Sequence, residues 1–416
     1  MLKPITTVLT GTVLAQGIAL LFLPIISRTY APAEFGGFQL VASSLALLMP
    51  IAALRLDFAI LRLRSPSQLP SLLALCGLLN IAGALLILAV QWLVLPWLFP
   101  ASQGQLWAGW MLPAGFLAAG LFQTLSYVPV RNKRYRMMSI SKVAQSGLFH
   151  AISALSGWIL SAPGAIVLVG TDIVSRAIAS GLIIADTVRG GSMGRISIGR
   201  MVRLLRVYRN YPLYSMPASV IGAIVAAAPV VWLSLHYGTE AAGQFGMAWR
   251  TTFQPLAMLV YAIAQVISAD LSQRIRHADG GGRRLILRVT GNMLLIGGPL
   301  VLIAGWFGQP LLALALGPGW AEAGRMLTAM TPLLLASLIS GPINMALVIS
   351  GRPAVQFGWE CCRAALVIGV LLGGGNYGLT AVETVALFSA SMFLMALAFL
   401  MLAIFWADRP RARSRR

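Results

Sequence analysis

The feature that most limits what this chain can fold into is a succession of apolar runs of similar length. Residues 8–26, 72–98, 218–235 and 379–405 are the longest, with Glu383 as their single charge, and the rest of the sequence repeats the pattern. Each is close to the ~20 residues with which a helix crosses ~30 Å of hydrocarbon. Charged residues form 10% of the chain and mean hydropathy is +0.83, so water cannot be the main solvent. In lipid, irregular chain or an open sheet edge leaves backbone polar groups without partners, so the expected class is an all-α integral membrane fold.

The formal charge of +20 would suit nucleic acid if it were gathered in one soluble patch. It is instead dealt out to alternate connections between the runs. All but four of the 31 basic residues fall on one set of loops and the tail, the exceptions being Arg28, Arg176, Arg250 and Arg325. The positive-inside rule assigns those loops and both termini to the cytoplasm. The charge is then a topology signal that also attracts anionic membrane lipids, and no nucleic-acid partner is expected.

Alternation of basic and non-basic connections predicts about 12 spans, at 8–27, 38–54, 71–98, 109–130, 143–160, 165–185, 212–235, 247–270, 289–307, 326–349, 360–373 and 378–406. The first lacks a small-residue cleavage site before Arg28 and reads as a retained span. The Arg- and Gly-rich connection 186–210 marks the midpoint, dividing a six-helix lobe at 1–185 from a second at 211–406, with a basic tail at 407–416. Within the linker, Ile198, Met201, Val202 and Leu205 oppose Arg200, Arg203, Arg206 and Arg209, the pattern of a surface amphipathic helix. Tyr30, Gly36 and Phe38 recur at Tyr237, Gly243 and Phe245, and Met111 and Pro113 at Met330 and Pro332. Two parallel halves related by an axis along the membrane normal follow, with a substrate cavity expected between them.

Chemistry other than transport finds little to work with. Cys76, Cys361 and Cys362 lack metal or redox spacing, and His150, His236 and His277 stand far apart in sequence, so neither a metal nor a cofactor is expected. The short outer loops hold only Glu34, Glu240 and Glu322, and no nucleophile-elbow or phosphate-loop motif occurs. An enzyme is not expected.

Residues 11–61 contain Gln16, Gly17 and Ile18; then Pro24 through Tyr30, reading Pro-Ile-Ile-Ser-Arg-Thr-Tyr; then Pro32, Ala33, Glu34, Phe35 and Gly36; then Arg55, Leu56, Asp57, Phe58, Ala59 and Ile60. This stretch resembles the polysaccharide-biosynthesis flippases, the O-antigen and exopolysaccharide exporters of the multidrug/oligosaccharidyl-lipid/polysaccharide exporter superfamily. The loop from Gly317 to Gly324 extends the resemblance. Asp57 departs from the glutamate more common there, and twelve spans depart from the fourteen typical of lipid II flippases, which argues against a peptidoglycan precursor. The resemblance implies alternating-access flipping of an undecaprenyl-pyrophosphate-linked glycan across the bacterial inner membrane. It also implies a polysaccharide polymerase and chain-length machinery as partners. The alternative within the superfamily is ion-coupled multidrug or toxin efflux.

A charge at the centre of a span costs about 2.5–3.5 kcal/mol on insertion scales, so the few present are the candidate site. Asp172 and Arg176 share a face at i,i+4, either as a fixed pair or as a coupling acid beside a phosphate-binding cation. Arg250, with no acid within a turn of it in sequence, either meets the pyrophosphate or reaches to the outer surface, and Arg28 has the same two readings. Arg55 and Asp57 either meet a lipid phosphate at the inner leaflet or belong to a solvated loop. Asp270 is a candidate for ion coupling or faces the basic loop beside it. A cavity holding Arg28, Arg55, Arg176 and Arg250 as substrate contacts, with Asp57, Asp172 and Asp270 as coupling or gating acids, calls for an anionic substrate.

Overall fold

The computed structural model describes residues 2–63, 65–93, 106–160, 163–189, 196–277 and 281–407. Arg64, Arg195, the outer end of the third predicted span and the basic tail from 408 onward lie outside them. The described chain is helical throughout. Its elements are α1 (Leu2–Thr29), α2 (Pro32–Ala52), α3 (Leu69–Leu93), α4 (Leu106–Arg131), α5 (Tyr135–Ile159), α6 (Ala165–Arg189), α7 (Ile198–Val207) and α8 (Met216–Ala248). These are followed by α9 (Gln254–His277), α10 (Gly282–Trp306), α11 (Gly308–Leu316), α12 (Ala321–Ala329), α13 (Thr331–Ser340), α14 (Ala346–Ile349), α15 (Pro353–Asn376) and α16 (Ala381–Ala407).

Among the described residues nine helices or helical runs are long and apolar enough to cross a membrane, one of them extending over Tyr211–Ser268. Two further helices fall short for different reasons. The apolar part of α1 is Val13–Thr29, whereas α5 has length enough but carries Ser139, Ser141, Lys142, Gln145, Ser146 and His150. Leu21, Leu295, Trp306 and Leu314 are at least three-quarters exposed, the inverse of a water-soluble surface and the expected face toward lipid tails.

The chain divides into two compact units, Met1–Ala227 and Ala228–Arg416. In unit 1, α1 packs along α5, while α4 lies against α3 and α6. After α2 the chain reverses through a 3-10 turn, Leu56–Arg62, whose Leu56, Ala59 and Ile60 are fully buried. In unit 2, α13 packs on α16 and α10, and α15 pairs with α16. The tenth predicted span is not one helix there but the sequence α12, α13, a 3-10 turn Gly341–Ile343 and α14. Gly324 permits the approach of α12 to α11, since a Cβ at that position would run into the backbone of Gln309.

The internal repeat is visible as matched geometry. The first hairpin of unit 1 breaks between Tyr30 and Pro32, at Ala31. The break within α8 falls at Gly238, whose φ of 87° is readily open to glycine alone, and it follows Tyr237 as Ala31 follows Tyr30. Tyr30 shares a hydrogen bond with the Ser156 hydroxyl (2.6 Å) and donates to the Ser153 carbonyl (3.1 Å). Tyr237 does the same with Thr384 (2.7 Å) and Leu379 (2.9 Å). The expected outer loops at 28–37 and 236–246 are therefore largely helical. Pro32 starts α2 early because its missing N–H is no loss in a first helical turn.

Candidate functional site

Unit 1 collects its intramembrane charge around one cavity of about 470 Å³, bounded by α2, α4, α5 and α6. The apolar wall is formed by Ala42, Leu45, Ala46 and Met49 of α2, and the polar wall by Gln123, Lys142, Asp172 and Arg176. Asp172 is 8% exposed. Its Oδ2 accepts from Arg176 Nε at 2.8 Å, and its Oδ1 accepts from Gln145 Nε2 at 3.5 Å. Arg176 makes no further hydrogen bond among the described residues, which leaves its two Nη groups for whatever enters the cavity. Lys142 lines the same space from α5. Two cations against one carboxylate give the cavity a formal excess of one positive charge.

Behind this wall lies a second acid. Gln123 lines the cavity and also donates through Nε2 to Asp57 Oδ2 at 2.7 Å. Asp57 is 1% exposed, and its Oδ1 is buried without a hydrogen-bond partner among the described residues. The turn that places it there begins with two consecutive left-handed residues, Leu54 (φ 48°) and Arg55 (φ 60°). Such backbone costs of order 1–3 kcal/mol per residue and persists only where the surroundings enforce it. Here the enforcement is the apolar cluster around Leu56, Ile60, Leu69 and Leu72. The reading of Asp57 as part of a solvated loop is thereby corrected: the turn folds inward and buries it. Arg55 is half-buried, donates from Nε to Ser219 Oγ at 3.0 Å, and holds its guanidinium 5.0 Å from the centre of the Phe58 ring.

The remaining candidates lie elsewhere. Arg28 is exposed in the last turn of α1. Arg250 is half-buried in a π-helical turn, Trp249–Phe253. Pro255 has no N–H to offer the carbonyl four residues before it, and the chain widens into this turn; a second π-turn, Tyr211–Ser215, likewise precedes Pro217. The hydroxyls of Thr251 and Thr252, beside Arg250, bond back to the carbonyls of Met247 and Ala248. Asp270 pairs with Arg274 of its own helix at 3.0 Å, both side chains about 40% exposed. Glu360 and Arg363 form an i,i+3 ion pair.

Lys142, Gln123 and Gln145 belong to the cavity network and were not among the sequence candidates. In the sequence Lys142 reads as part of a positive-inside loop, because the fifth predicted span begins at 143, whereas α5 begins at Tyr135. The signal was nevertheless present, since Met138, Lys142, Gln145 and Phe149 recur at i, i+4, i+7 and i+11 along one face.

No protein-family model and no curated protein matches the sequence. Among solved structures, the chain is similar to the lipid II flippase MurJ in an inward closed conformation, at 12% identity and TM-score 0.72 over 95% of this chain and 87% of that one. It is also similar to a multidrug resistance MATE family transporter of the MOP superfamily in an inward-facing conformation, at 15% identity and TM-score 0.59 over 98% and 96%. A third is a MOP superfamily transporter from Pyrococcus furiosus described by the reverse polarity of its binding pocket, at 12% identity and TM-score 0.59 over 98% and 97%. The likeness shows that the chain shares the multi-pass helical fold of these structures.

Proposed function

We propose that this protein is a flippase that carries an anionic lipid-linked glycan, of the undecaprenyl-pyrophosphate class, from the cytoplasmic to the outer leaflet of a bacterial inner membrane. The observation that carries this reading is the cavity of unit 1, where Lys142 and Arg176 outnumber Asp172. A guanidinium with its Nη groups unspent, beside a lysine in a low-dielectric wall, binds phosphate oxygens more strongly than the same groups would in water. A pyrophosphate that enters compensates the excess charge, and moving its negative charge outward is favoured by about 2.3 kcal/mol per elementary charge per 100 mV.

In this reading Arg176 and Lys142 are the substrate contacts. Asp172 orients Arg176 and competes with the substrate for it. Asp57, reached through Gln123, is the gating acid, and Arg55 contributes at the inner leaflet. Twelve spans in two lobes, with termini in the cytoplasm, complete the proposal; the long run Tyr211–Ser268 accounts for two of them, and α1 and α5 for two more. The lipid II flippase among the similar structures supports a lipid-linked substrate.

A specific observation favours a second reading, ion-coupled efflux. Asp57 Oδ1 is a buried acceptor with nothing bonded to it among the described residues, as an acid that exchanges a cation would be. The two are separated by mass spectrometry of polyprenyl-pyrophosphate-linked glycans in cells lacking the gene. Accumulation of a complete repeat unit accessible only from the cytoplasm supports the flippase; unchanged glycans with raised sensitivity to cationic dyes support efflux.

A further inference from the structure

Helix α7 buries one strip and leaves the neighbouring one bare. Met201 and Leu204 are 7% and 4% exposed, packed in the cluster that contains Leu56, Ile60, Leu69 and Leu72. At 3.6 residues per turn, Ile198, Val202 and Leu205 fall on the adjacent strip, and they are 79%, 52% and 38% exposed. Arg203 and Arg206 occupy the face beyond, exposed and with no hydrogen bond or ion pair among the described residues. A helix with three neighbours in three directions, namely protein, something apolar and something that accepts positive charge, fits the rim of a bilayer.

We propose that α7 is a binding surface for anionic phospholipids. Ile198, Val202 and Leu205 enter the upper acyl region while Arg203 and Arg206 hold the headgroup phosphates. Charge complementarity selects this occupant: Arg131 and Arg189, in the last turns of α4 and α6, stand at the same end of unit 1 and add to the local positive field, whereas Arg134 is paired with Asp186 at 2.8 Å. The surface is not an isolated patch. Arg200 donates to the Ser67 carbonyl at 2.6 Å, Ser197 N–H to Ser71 Oγ at 3.3 Å, and the Tyr208 hydroxyl to the Arg62 carbonyl at 3.2 Å. Lipid bound to α7 therefore bears on the segment that contains Arg55 and Asp57.

The test uses the full-length protein with exposed Cys361 and Cys362 replaced by Ser and a fluorophore on Val202→Cys. The protein is placed in vesicles of equal parts phosphatidylglycerol and phosphatidylcholine, with a nitroxide high on the acyl chain of one lipid or the other. The expected result is weak quenching by aqueous acrylamide, and quenching about threefold stronger from labelled phosphatidylglycerol than from labelled phosphatidylcholine. Arg203→Gln with Arg206→Gln brings that ratio to about one while lipid quenching itself persists. Equal quenching by both lipids before substitution overturns the proposal, as does full accessibility to acrylamide. Protection from both lipid and acrylamide overturns it in favour of cover by this chain or a second copy of it. None of these readings depends on transport, so the outcome is separable from that of the flippase assay.

Discussion

Units 1 and 2 break their first helical hairpin at equivalent residues and latch it with equivalent tyrosine bonds, yet they differ in what their cavities are made of. Unit 1 surrounds its cavity with Lys142, Asp172, Arg176 and Gln123. Unit 2 has a cavity of about 610 Å³ walled by Leu302, Trp306, Leu335, Phe393 and Leu394, with Thr328 and Thr331 as its polar residues. Two acids of unit 2 make pairs within their own helices, Asp270 with Arg274 and Glu360 with Arg363. The helix breaks and tyrosine bonds are therefore alike in the two units, while of these two cavities only that of unit 1 is lined by charged residues. In lipid this division is economical, because helix association needs small residues and complementary surfaces, whereas each intramembrane charge carries an insertion cost and needs a partner.

The comparison is tested hardest by removing the cavity cations. Lys142→Gln with Arg176→Gln should lower glycan flipping in proteoliposomes by about a hundredfold or more, two charge-assisted contacts being lost, each worth roughly 1.5–3 kcal/mol. The matching change in unit 2, Arg274→Gln with Arg363→Gln, should leave flipping within about twofold, as expected for ordinary i,i+3 and i,i+4 pairs. Equal losses from both would erase the asymmetry.

Packing should respond in the opposite manner. Gly324→Ala forces a methyl against the backbone of Gln309 in unit 2 and should cost about 1–3 kcal/mol, read as a lowered thermal midpoint in detergent. The latches should behave alike: Tyr30→Phe and Tyr237→Phe each lose hydroxyl hydrogen bonds and should each cost about 1 kcal/mol. A cost in one unit only would mean that the repeat is formal and not mechanical. The smallest effect is expected for Asp270→Asn, about 0.5 kcal/mol or less, because its pair with Arg274 is well exposed.

The helical class and the recurrence of the Tyr30 bonds at Tyr237 were legible because they are written in properties that survive reading in one dimension: run length, and the offset that relates Tyr30 to Tyr237. The Asp172–Arg176 pair was legible for the same reason, since i,i+4 spacing on a helix fixes proximity. Asp57 was not. Its burial depends on Leu54 and Arg55 adopting left-handed backbone, and neither residue type signals it. Lys142 was hidden by the rule that located the spans, which treats a cation near a helix end as topology; only the position of α5 against α6 shows that it shares a cavity with Asp172. The helical continuation through 239–248 was missed because Gly238 and the short polar stretch after it read as a loop, although a single glycine kink suffices.

The central claim is that the positive cavity of unit 1 handles an anionic lipid-linked substrate. It is tested most directly by reconstituting purified protein into vesicles with a fluorescent polyprenyl-pyrophosphate glycan and measuring leaflet exchange, with and without the Lys142→Gln, Arg176→Gln double substitution. The account predicts exchange with the unsubstituted protein and its near loss in the double variant, whose thermal midpoint stays within a few degrees of the original. Undiminished exchange in the double variant would contradict it.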